Sequence, residues 1–382
     1  MKIAQVAPLI ESVPPRLYGG TERIVSYLTE ELVGLGHDVT LFASGDSITS
    51  AELVPCCSRA LRLDPTVLDT IPHFMLMIDK VRQRADEFDV LHFHIDLFHF
   101  PLFRSLAART LTTLHGRQDL GDLKPFYSGF GEMPLVSISN DQRKPIPKAN
   151  FVATIHHGIP PELHPPSFEQ GGYLAFLGRI SPEKRPDRAI RIARAAGIPL
   201  KIAAKVDKID EEYFRSEILP LIDGAGVEFI GEINEREKTK FLGDASALMF
   251  PVDWPEPFGL VMIEAMACGT PVLAFRCGSI PEVIEDGITG KVVESEEEAL
   301  AALPEILSYD RRSVRQRFEE RFTTTRMAKD YVGVYRRLLK THTAGAKPHR
   351  ADLNGGNGST PMSIEKSLPA LFEAGANPEV PL

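Results

Sequence analysis

The sequence has few cysteines and no long apolar run. Its four cysteines, Cys56, Cys57, Cys268 and Cys277, are spaced neither as a zinc ribbon nor as a disulfide framework, which indicates reduced, buried thiols. No stretch approaches the roughly 18 consecutive apolar residues that a membrane-spanning helix needs. The apolar run at 3–8 is too short for the core of a secretory leader and predicts a first strand instead. We therefore expect a cytoplasmic protein that is at most peripheral at the inner face of the membrane.

The sequence also lacks an excess of positive charge. Its formal net charge is −9, which argues against a general nucleic-acid surface, because phosphate backbones bind clustered Lys and Arg. The basic cluster at 143–148 could make a weak contact with lipid headgroups, although a solvated loop is the favoured interpretation. Three histidines, His92, His94 and His99, alternate as in a strand. Zinc is disfavoured there because no further ligands are spaced to complete a site.

Length and periodicity predict two α/β domains. The chain has 382 residues, of which 43% are hydrophobic and 25% charged, enough for two domains that each bury a core. Short β-rich runs alternate with helical periodicity, and this alternation predicts two doubly wound parallel sheets. The predicted strands are 3–8, 38–43, 89–93, 110–114, 135–138, 151–155, 173–177, 200–204, 227–230, 247–250 and 271–275. The predicted helices are about 21–35, 74–86, 185–196, 209–222 and 309–341.

A proline-rich stretch at 159–166 interrupts the alternation and predicts a hinge between the domains. We expect an N-terminal Rossmann-like domain at 1–165 and a C-terminal one at 166–321. A helix at about 322–341 would cross back to the first domain. The weakly periodic segment 342–382 predicts a flexible tail, in which 363–372 could form a transient helix or a docking segment.

The most informative motif runs from Pro255 to Val272. Glu256 and Gly259 precede an apolar helix, whose free backbone N–H groups and dipole favour an anion such as a diphosphate. Glu264 lies two helical turns further on among apolar residues, where an unpaired carboxylate is costly. It therefore needs partners, either ligand hydroxyls such as those of a ribose or a buried ion pair.

Two cations, Arg179 and Lys184, follow the predicted strand at 173–177. The carboxyl ends of strands in doubly wound sheets are where such sheets bind ligands. Two cations at that place could neutralise a diphosphate. The alternative is a solvated basic loop.

Two shorter motifs belong to the first half of the chain. Gly19 and Gly20 stand between the first strand and a helix, where glycines let the backbone approach a phosphate or a sugar, or simply make a turn. His115 ends a strand, is followed by Gly116, and could face the cleft between the domains. There it could bind sugar hydroxyls or a reacting oxygen.

Taken together, these four motifs resemble the retaining glycosyltransferases of family 4, and the similarity runs from Met1 to about residue 340. The resemblance implies the GT-B fold, in which two Rossmann-like doubly wound domains face a central cleft. It implies a nucleoside-diphosphate sugar as donor, of the UDP-glucose or GDP-mannose type. The segment from Glu256 to Glu264, with its Phe-Gly-Leu, carries most of the resemblance.

The resemblance also assigns roles. Arg179 and Lys184 would hold the diphosphate, and Glu256 the donor sugar. His115 would lie near the reacting carbon, which completes the expected catalytic set. The expected donor-binding residues are Gly19, Gly20, Phe258, Gly259, Leu260 and Glu264, with Glu264 on the ribose.

The implied mechanism is retention through front-face attack, in which the leaving diphosphate accepts the proton of the acceptor. It requires no protein nucleophile. The sequence has no Asp-x-Asp, the usual carboxylate pair for the metal of a sugar nucleotide, so we expect no metal and no cofactor.

The acceptor stays open among sugars, lipids and small molecules, because its contacts would come from variable loops such as 44–72 and 117–134. Two departures from the family pattern, Ala204-Lys205 and the hinge sequence at 157–160, bear on base recognition and hinge behaviour. The alternatives are another GT-B enzyme, such as a sugar-nucleotide 2-epimerase or a phosphorylase, and a non-catalytic bilobal sugar-binding protein.

Overall fold

The computed structural model describes residues 1–16, 19–169, 171–224 and 226–345, and within them two parallel sheets. The first sheet consists of β1 Lys2–Val6, β2 Asp38–Ser44, β3 Glu52–Cys57, β4 Val90–Phe93, β5 Thr110–Thr113, β6 Leu135–Ser137 and β7 Phe151–Thr154, in the spatial order β3-β2-β1-β4-β5-β6-β7. The second consists of β8 Tyr173–Ile180, β9 Leu200–Val206, β10 Val227–Gly231, β11 Ala245–Phe250, β12 Val272–Phe275 and β13 Gly290–Val293, in the order β10-β9-β8-β11-β12-β13.

Helices connect these strands, as the predicted alternation requires. They are α1 Gly20–Gly34, α2 Ile71–Gln83, α3 Phe100–Phe103, α4 Leu123–Gly129, α5 Pro186–Ala196, α6 Glu211–Tyr213, α7 Glu235–Gly243, α8 Leu260–Ala267, α9 Ile280–Val283, α10 Glu296–Ile306, α11 Arg311–Arg321 and α12 Thr324–Gly345. We call the first sheet with α1 to α4 and α12 the first lobe, and the second sheet with α5 to α11 the second lobe. In the described part of the chain, no helix combines the length and the apolar character needed to cross a membrane.

The order of each sheet reverses at one place, between β1 and β4 in the first and between β8 and β11 in the second. At such a reversal the loops at the carboxyl ends of the two strands diverge and leave a crevice where doubly wound sheets bind ligands. The loops after β1, β8 and β11 carry three of the predicted motifs. The fold therefore directs these motifs to the crevices.

Local chemistry accounts for the boundaries of individual helices. Helix α5 ends at Gly197, which has φ 67°, and the N–H groups of Gly197 and Ile198 bond back to carbonyls of the last turn. Helix α7 begins with a capping box formed by Asn234 and Glu237. The capping box is visible in the sequence, but the prediction did not use it and missed α7.

Other predictions of elements were also wrong. The helix expected at 209–222 is a succession of short 3-10, α and π turns, and Pro220, which lacks a backbone N–H, stands in the last of them. The edge strand β3 lies within 44–72, which is predicted as a variable loop, and it contains Pro55, which edge strands tolerate.

The chain joins the two lobes through 155–172 and returns at the break between α11 and α12, which divides the helix predicted at 309–341. At the break, Gly158 approaches Thr323 so closely that a Cβ on the glycine would lie 2.2 Å from the carbonyl oxygen of Thr323. Helix α12 then packs on the first sheet through Tyr331 and Tyr335, both fully buried. The tail predicted at 342–382 begins inside α12, and its part beyond Gly345, including 363–372, lies outside the described residues.

Candidate functional site

A cavity of about 570 Å³ lies between the carboxyl ends of the two sheets, and all of the predicted site residues line it. They come from the loop after β1, the end of β5, the end of β8 with the loop that follows it, and the loop after β11 with the helix that follows. Because β8 extends to Ile180, Arg179 lies in the strand and not, as predicted, in the loop after it. They are Gly19, Gly20, His115, Arg179, Lys184, Glu256, Phe258, Gly259, Leu260 and Glu264. Residues that are far apart in the sequence thus line one cavity.

Arg179, at the end of β8, is surrounded by carboxylates. It pairs with Glu183, and its guanidinium lies 3.7 Å from Asp207 and 3.7 Å from Asp210. The neighbouring Lys205 pairs with Asp207 at 2.8 Å and lines the same cavity. An anion that binds Arg179 must therefore compete with acidic side chains for it.

Lys184 is likewise paired, with Glu256 from the loop after β11. Its Nζ lies 2.5 Å from Oε2 of Glu256, and the indole Nε1 of Trp254 donates to the same oxygen at 3.0 Å. Trp254 also lines the cavity. Sequence reasoning missed Trp254, although a tryptophan two residues before Glu256 was a visible signal.

Glu264, on α8, has a buried ion pair, which is one of the two kinds of partner expected for it; the other is a ligand hydroxyl. Lys238 of α7 contacts its Oε1 at 2.8 Å and also lies 3.3 Å from Glu235. Arg23 of α1 pairs with Glu235 from the other side of the cavity. Although burial alone would raise the pKa of Glu235, His164, Lys238 and Arg23 together lower it to about 2. Lys238, Arg23 and Glu235 were missed because only the fold brings them to Glu264.

One group of potential metal ligands occurs among the described residues. An atom of each of His164, Glu235 and Glu264 lies within 4.8 Å of the others. Lys238 touches both carboxylates and Arg23 touches one of them. These two cations already supply the positive charge that a metal ion would bring to the group.

The starts of α1 and α8 meet at the cavity. A Cβ on Gly20 would lie 3.5 Å from Cδ1 of Leu260, so the glycine loop of the first lobe contacts the second lobe there. Gly259 caps α8 with φ 80°, a left-handed conformation that favours glycine. The free N–H groups at such helix starts are suited to anions.

His115 is the end of a buried chain of hydrogen bonds. Its Nε2 lies 2.9 Å from Nδ1 of His94, whose Nε2 lies 2.8 Å from Oε1 of Gln5. Since Gln5 uses its Nε2 to donate to Tyr335, its Oε1 accepts from His94, and His94 in turn accepts from Nε2 of His115. Burial lowers the pKa of His115 to about 3, so its ring is neutral near pH 7.

The three histidines considered for zinc are held by other side chains. His92 bonds Tyr335 and Thr113, each at 2.8 Å, and His99 bonds Thr112 at 2.9 Å. His94 is engaged by Gln5 and His115. In the part of the chain that the structure describes, the three therefore do not converge on a metal position.

The basic cluster at 143–148 is also engaged within the protein. The guanidinium of Arg143 lies 4.8 Å from the ring centroid of Phe151, and Lys144 pairs with Asp141 at 2.5 Å. The choice between a solvated loop and a lipid contact stays a prediction.

Two family models match the chain. Residues 18–195 match the one described as Glycosyltransferase Family 4, and residues 164–323 match the one described as Glycosyl transferases group 1. The chain is 24% identical over 393 residues to a protein of Methanocaldococcus jannaschii described as an uncharacterized glycosyltransferase, a match that covers 88% of this chain and 98% of that protein.

Solved structures share the architecture. Sucrose-phosphate synthase from Thermosynechococcus elongatus superimposes with a TM-score of 0.70 at 19% identity, over 89% of this chain and 99% of that chain. HepE of Anabaena, in complex with UDP and glucose, superimposes with a TM-score of 0.67 at 16% identity, over 88% and 100%. These similarities and the two parallel sheets confirm the expected GT-B fold.

Proposed function

We propose that the chain, for which the family matches and the fold support a glycosyltransferase of the GT-B type, moves a hexosyl group from a nucleoside-diphosphate sugar to an acceptor with retention of configuration. The observation that carries the proposal is that four motifs from separate parts of the chain line one cavity at the crevices of both sheets. HepE, whose structure contains UDP and glucose, supports a UDP-sugar as donor. A GDP-mannose type donor is the second candidate.

The diphosphate would bind Arg179, Lys184 and the N–H groups at the start of α8. Both cations are paired with carboxylates, and a diphosphate, with more negative charge and more acceptor oxygens, would replace those carboxylates as their partner. The same groups stabilise the charge that develops on the leaving diphosphate. This exchange of partners would supply the role that a metal has elsewhere, so we propose a metal-independent and cofactor-free reaction.

The ribose and the donor sugar would each bind one of two glutamates, Glu264 and Glu256. Lys238 holds Oε1 of Glu264, and the cavity adjoins this buried carboxylate, which suits ribose hydroxyls. Glu256 would accept hydrogen bonds from hydroxyl groups of the donor sugar. His115, neutral and held by His94, is suited to hydrogen bonding rather than to acid catalysis, which agrees with a mechanism in which the leaving diphosphate takes the acceptor proton.

Thermal stabilisation by nucleotides tests the proposal. We expect one of UDP, GDP, ADP or their sugars to raise the unfolding midpoint of the wild type equally with and without EDTA, because a ligand stabilises the state that binds it. Lys184→Ala should lose this shift. Arg191→Ala is the matched control, since Arg191 pairs with Asp187 and Glu296 and does not line the cavity.

The outcomes separate the alternatives. No shift with any nucleotide would contradict a sugar-nucleotide enzyme, and a shift that requires a metal would contradict metal independence. Conversion of the bound sugar nucleotide without an added acceptor would favour the epimerase, and consumption of a sugar phosphate would favour the phosphorylase. Binding with no turnover would favour the non-catalytic sugar-binding protein.

A further inference from the structure

Trp254, the sole tryptophan of the chain, lies between β11 and α8 and contacts both members of the Lys184–Glu256 pair. Its Nε1 donates to Oε2 of Glu256 at 3.0 Å, and Nζ of Lys184 donates to the same oxygen at 2.5 Å. The lysine Nζ also lies 4.9 Å from an indole ring centroid of Trp254. One carboxylate oxygen is thus held by two donors that touch each other.

The backbone of Glu256 is fixed independently of these side chains. Its carbonyl accepts from the N–H of Ser279 at 2.9 Å, and its own N–H donates to the carbonyl of Trp254 at 2.7 Å. Gly278 passes so close that a Cβ there would lie 2.4 Å from both the nitrogen and the oxygen of Glu256. The two side-chain hydrogen bonds therefore act on the direction of the carboxylate and leave the backbone in place.

Binding of a diphosphate would remove one of the two donors. A diphosphate attracts an ammonium more strongly than one carboxylate does, so Lys184 would move from Glu256 to the ligand. Glu256 is only 8% exposed, and a buried carboxylate without a donor is costly. The indole N–H of Trp254 is the donor that stays.

We propose that Trp254 is a positioning residue that keeps the carboxylate of Glu256 directed at the donor sugar after the diphosphate has drawn Lys184 away. The inference rests on the proposed function. It deepens that function by giving the two donors at one carboxylate different tasks. Lys184 moves from Glu256 to the diphosphate, and Trp254 continues to hold Glu256. Oε2 is the oxygen that Trp254 holds, so Oε1 is the one presented to a sugar hydroxyl.

Steady-state kinetics of Trp254→Phe test this, because phenylalanine keeps an aromatic ring and lacks the N–H. With UDP-glucose and GDP-mannose as donors, and release of the nucleoside diphosphate as the readout, we expect kcat to fall about 10- to 100-fold, the equivalent of one hydrogen bond to a charged group. KM for the donor and the affinity for the free diphosphate should change little. If Trp254 acts through Glu256, Trp254→Phe should have little further effect in a Glu256→Gln background.

Fluorescence of the wild type tests the movement of Lys184. Since Trp254 is the sole tryptophan, indole emission reports on its surroundings, and it should change when UDP or GDP saturates the site. In Lys184→Ala the emission should differ from that of the wild type before ligand is added, because the ammonium beside the indole is absent. The wild-type measurement tests the departure of Lys184 without any change at Trp254.

The outcomes distinguish this inference from the proposed function. If calorimetry detects binding of UDP or GDP while the indole emission is unchanged, or kcat of a folded Trp254→Phe equals that of the wild type, the role of Trp254 is wrong and the proposed function stands. If a fall in kcat is fully additive with Glu256→Gln, Trp254 does not act through Glu256. If neither nucleotide binds, both proposals fail.

Discussion

Arg23 of α1 and Glu235 of α7 form an ion pair that connects the first lobe to the second beside the cavity. Both side chains are largely shielded from solvent, with 12% and 24% of their surface exposed, so the pair is screened less than a surface pair. Arg23 also lies three residues after Gly20, in the helix that starts at the glycine loop. We therefore expect the ion pair to couple the closure of the cleft to the position of that loop.

We expect Glu235→Gln to favour a more open arrangement of the lobes, because it removes one charge of the pair. Small-angle scattering of the ligand-free protein should show a larger radius of gyration, and Arg23→Gln should show the same. In a double-mutant cycle on the free energy of unfolding, the coupling should be roughly 1 to 2 kcal/mol. Lys240→Gln, on the exposed side of the same helix, is the control. Unchanged scattering or full additivity would remove the link between the pair and closure.

Gly278→Ala should abolish turnover. The added Cβ would lie 2.4 Å from backbone atoms of Glu256, which cannot yield as the end of a flexible side chain can, so Glu256 must shift. Gly287→Ala is the matched control. Both glycines have a left-handed backbone, with φ 54° at Gly278 and φ 82° at Gly287, but a Cβ on Gly287 would meet open space. Both variants should lose about 1 kcal/mol of stability from the left-handed backbone. Measured kcat should fall in Gly278→Ala alone, and equal activity would mean that the position of Glu256 is not critical.

Glu264→Ala should lose the preference for a ribose. If Glu264 accepts the ribose hydroxyls, the wild type should bind UDP, or GDP if that is the nucleotide that binds, about 10-fold more tightly than its 2′-deoxy form, the worth of one hydrogen bond. Calorimetry on Glu264→Ala should show this ratio near one. Glu228→Ala, on the surface of β10 in a pair with Lys201, serves as the control and should keep the ratio. A ratio near one in the wild type would show that Glu264 only pairs with Lys238.

The positions of the motifs could be predicted from the sequence because they depend on local signals. A strand that leads through Arg179 into a loop with Lys184 places both cations at the carboxyl edge of a parallel sheet, and the helix after Gly259 presents its N-terminus there. The partners of these residues depend on the order of the strands. Glu256 meets Lys184 because β8 and β11 are neighbours in the second sheet, which periodicity does not reveal.

The contacts between helices and strands around the cavity were harder still to predict. Lys238 precedes Glu264 by 26 residues and contacts it only because α7 packs beside α8. Tyr335 reaches the histidine cluster because α12 crosses back to the first lobe, a crossing that the sequence predicted without indicating which residues would be buried. A buried polar residue finds its partner through tertiary packing, and a single sequence carries little signal of it.

The buried histidines should make the protein acid-sensitive. Burial lowers the pKa of five of them below that of the unfolded chain: His92, His94, His99, His115 and His157. Below about pH 6.5 the unfolded chain binds protons that the folded protein does not, so the free energy of unfolding falls as the pH falls, by about 1.4 kcal/mol per histidine and pH unit. Buried carboxyls oppose this: burial raises the pKa of Asp96 to about 6 and also raises the pKa values of Glu11, Glu22 and Asp210, so the folded protein binds those protons first.

Urea unfolding at pH 7.5, 6.5 and 5.5 measures the balance, and we expect most of the loss of stability between the two lower values. Replacing one buried histidine away from the cavity, His99→Asn, should cost stability at pH 7.5 through its lost contacts with Phe93 and Thr112. It should also reduce the pH slope below 6.5 by about one proton. His73→Gln, at a half-buried position of α2, is the control. If stability were as high at pH 5.5 as at pH 7.5, the folded protein would have to accommodate charged histidines, and the neutral His115 of the proposed mechanism would lose its basis.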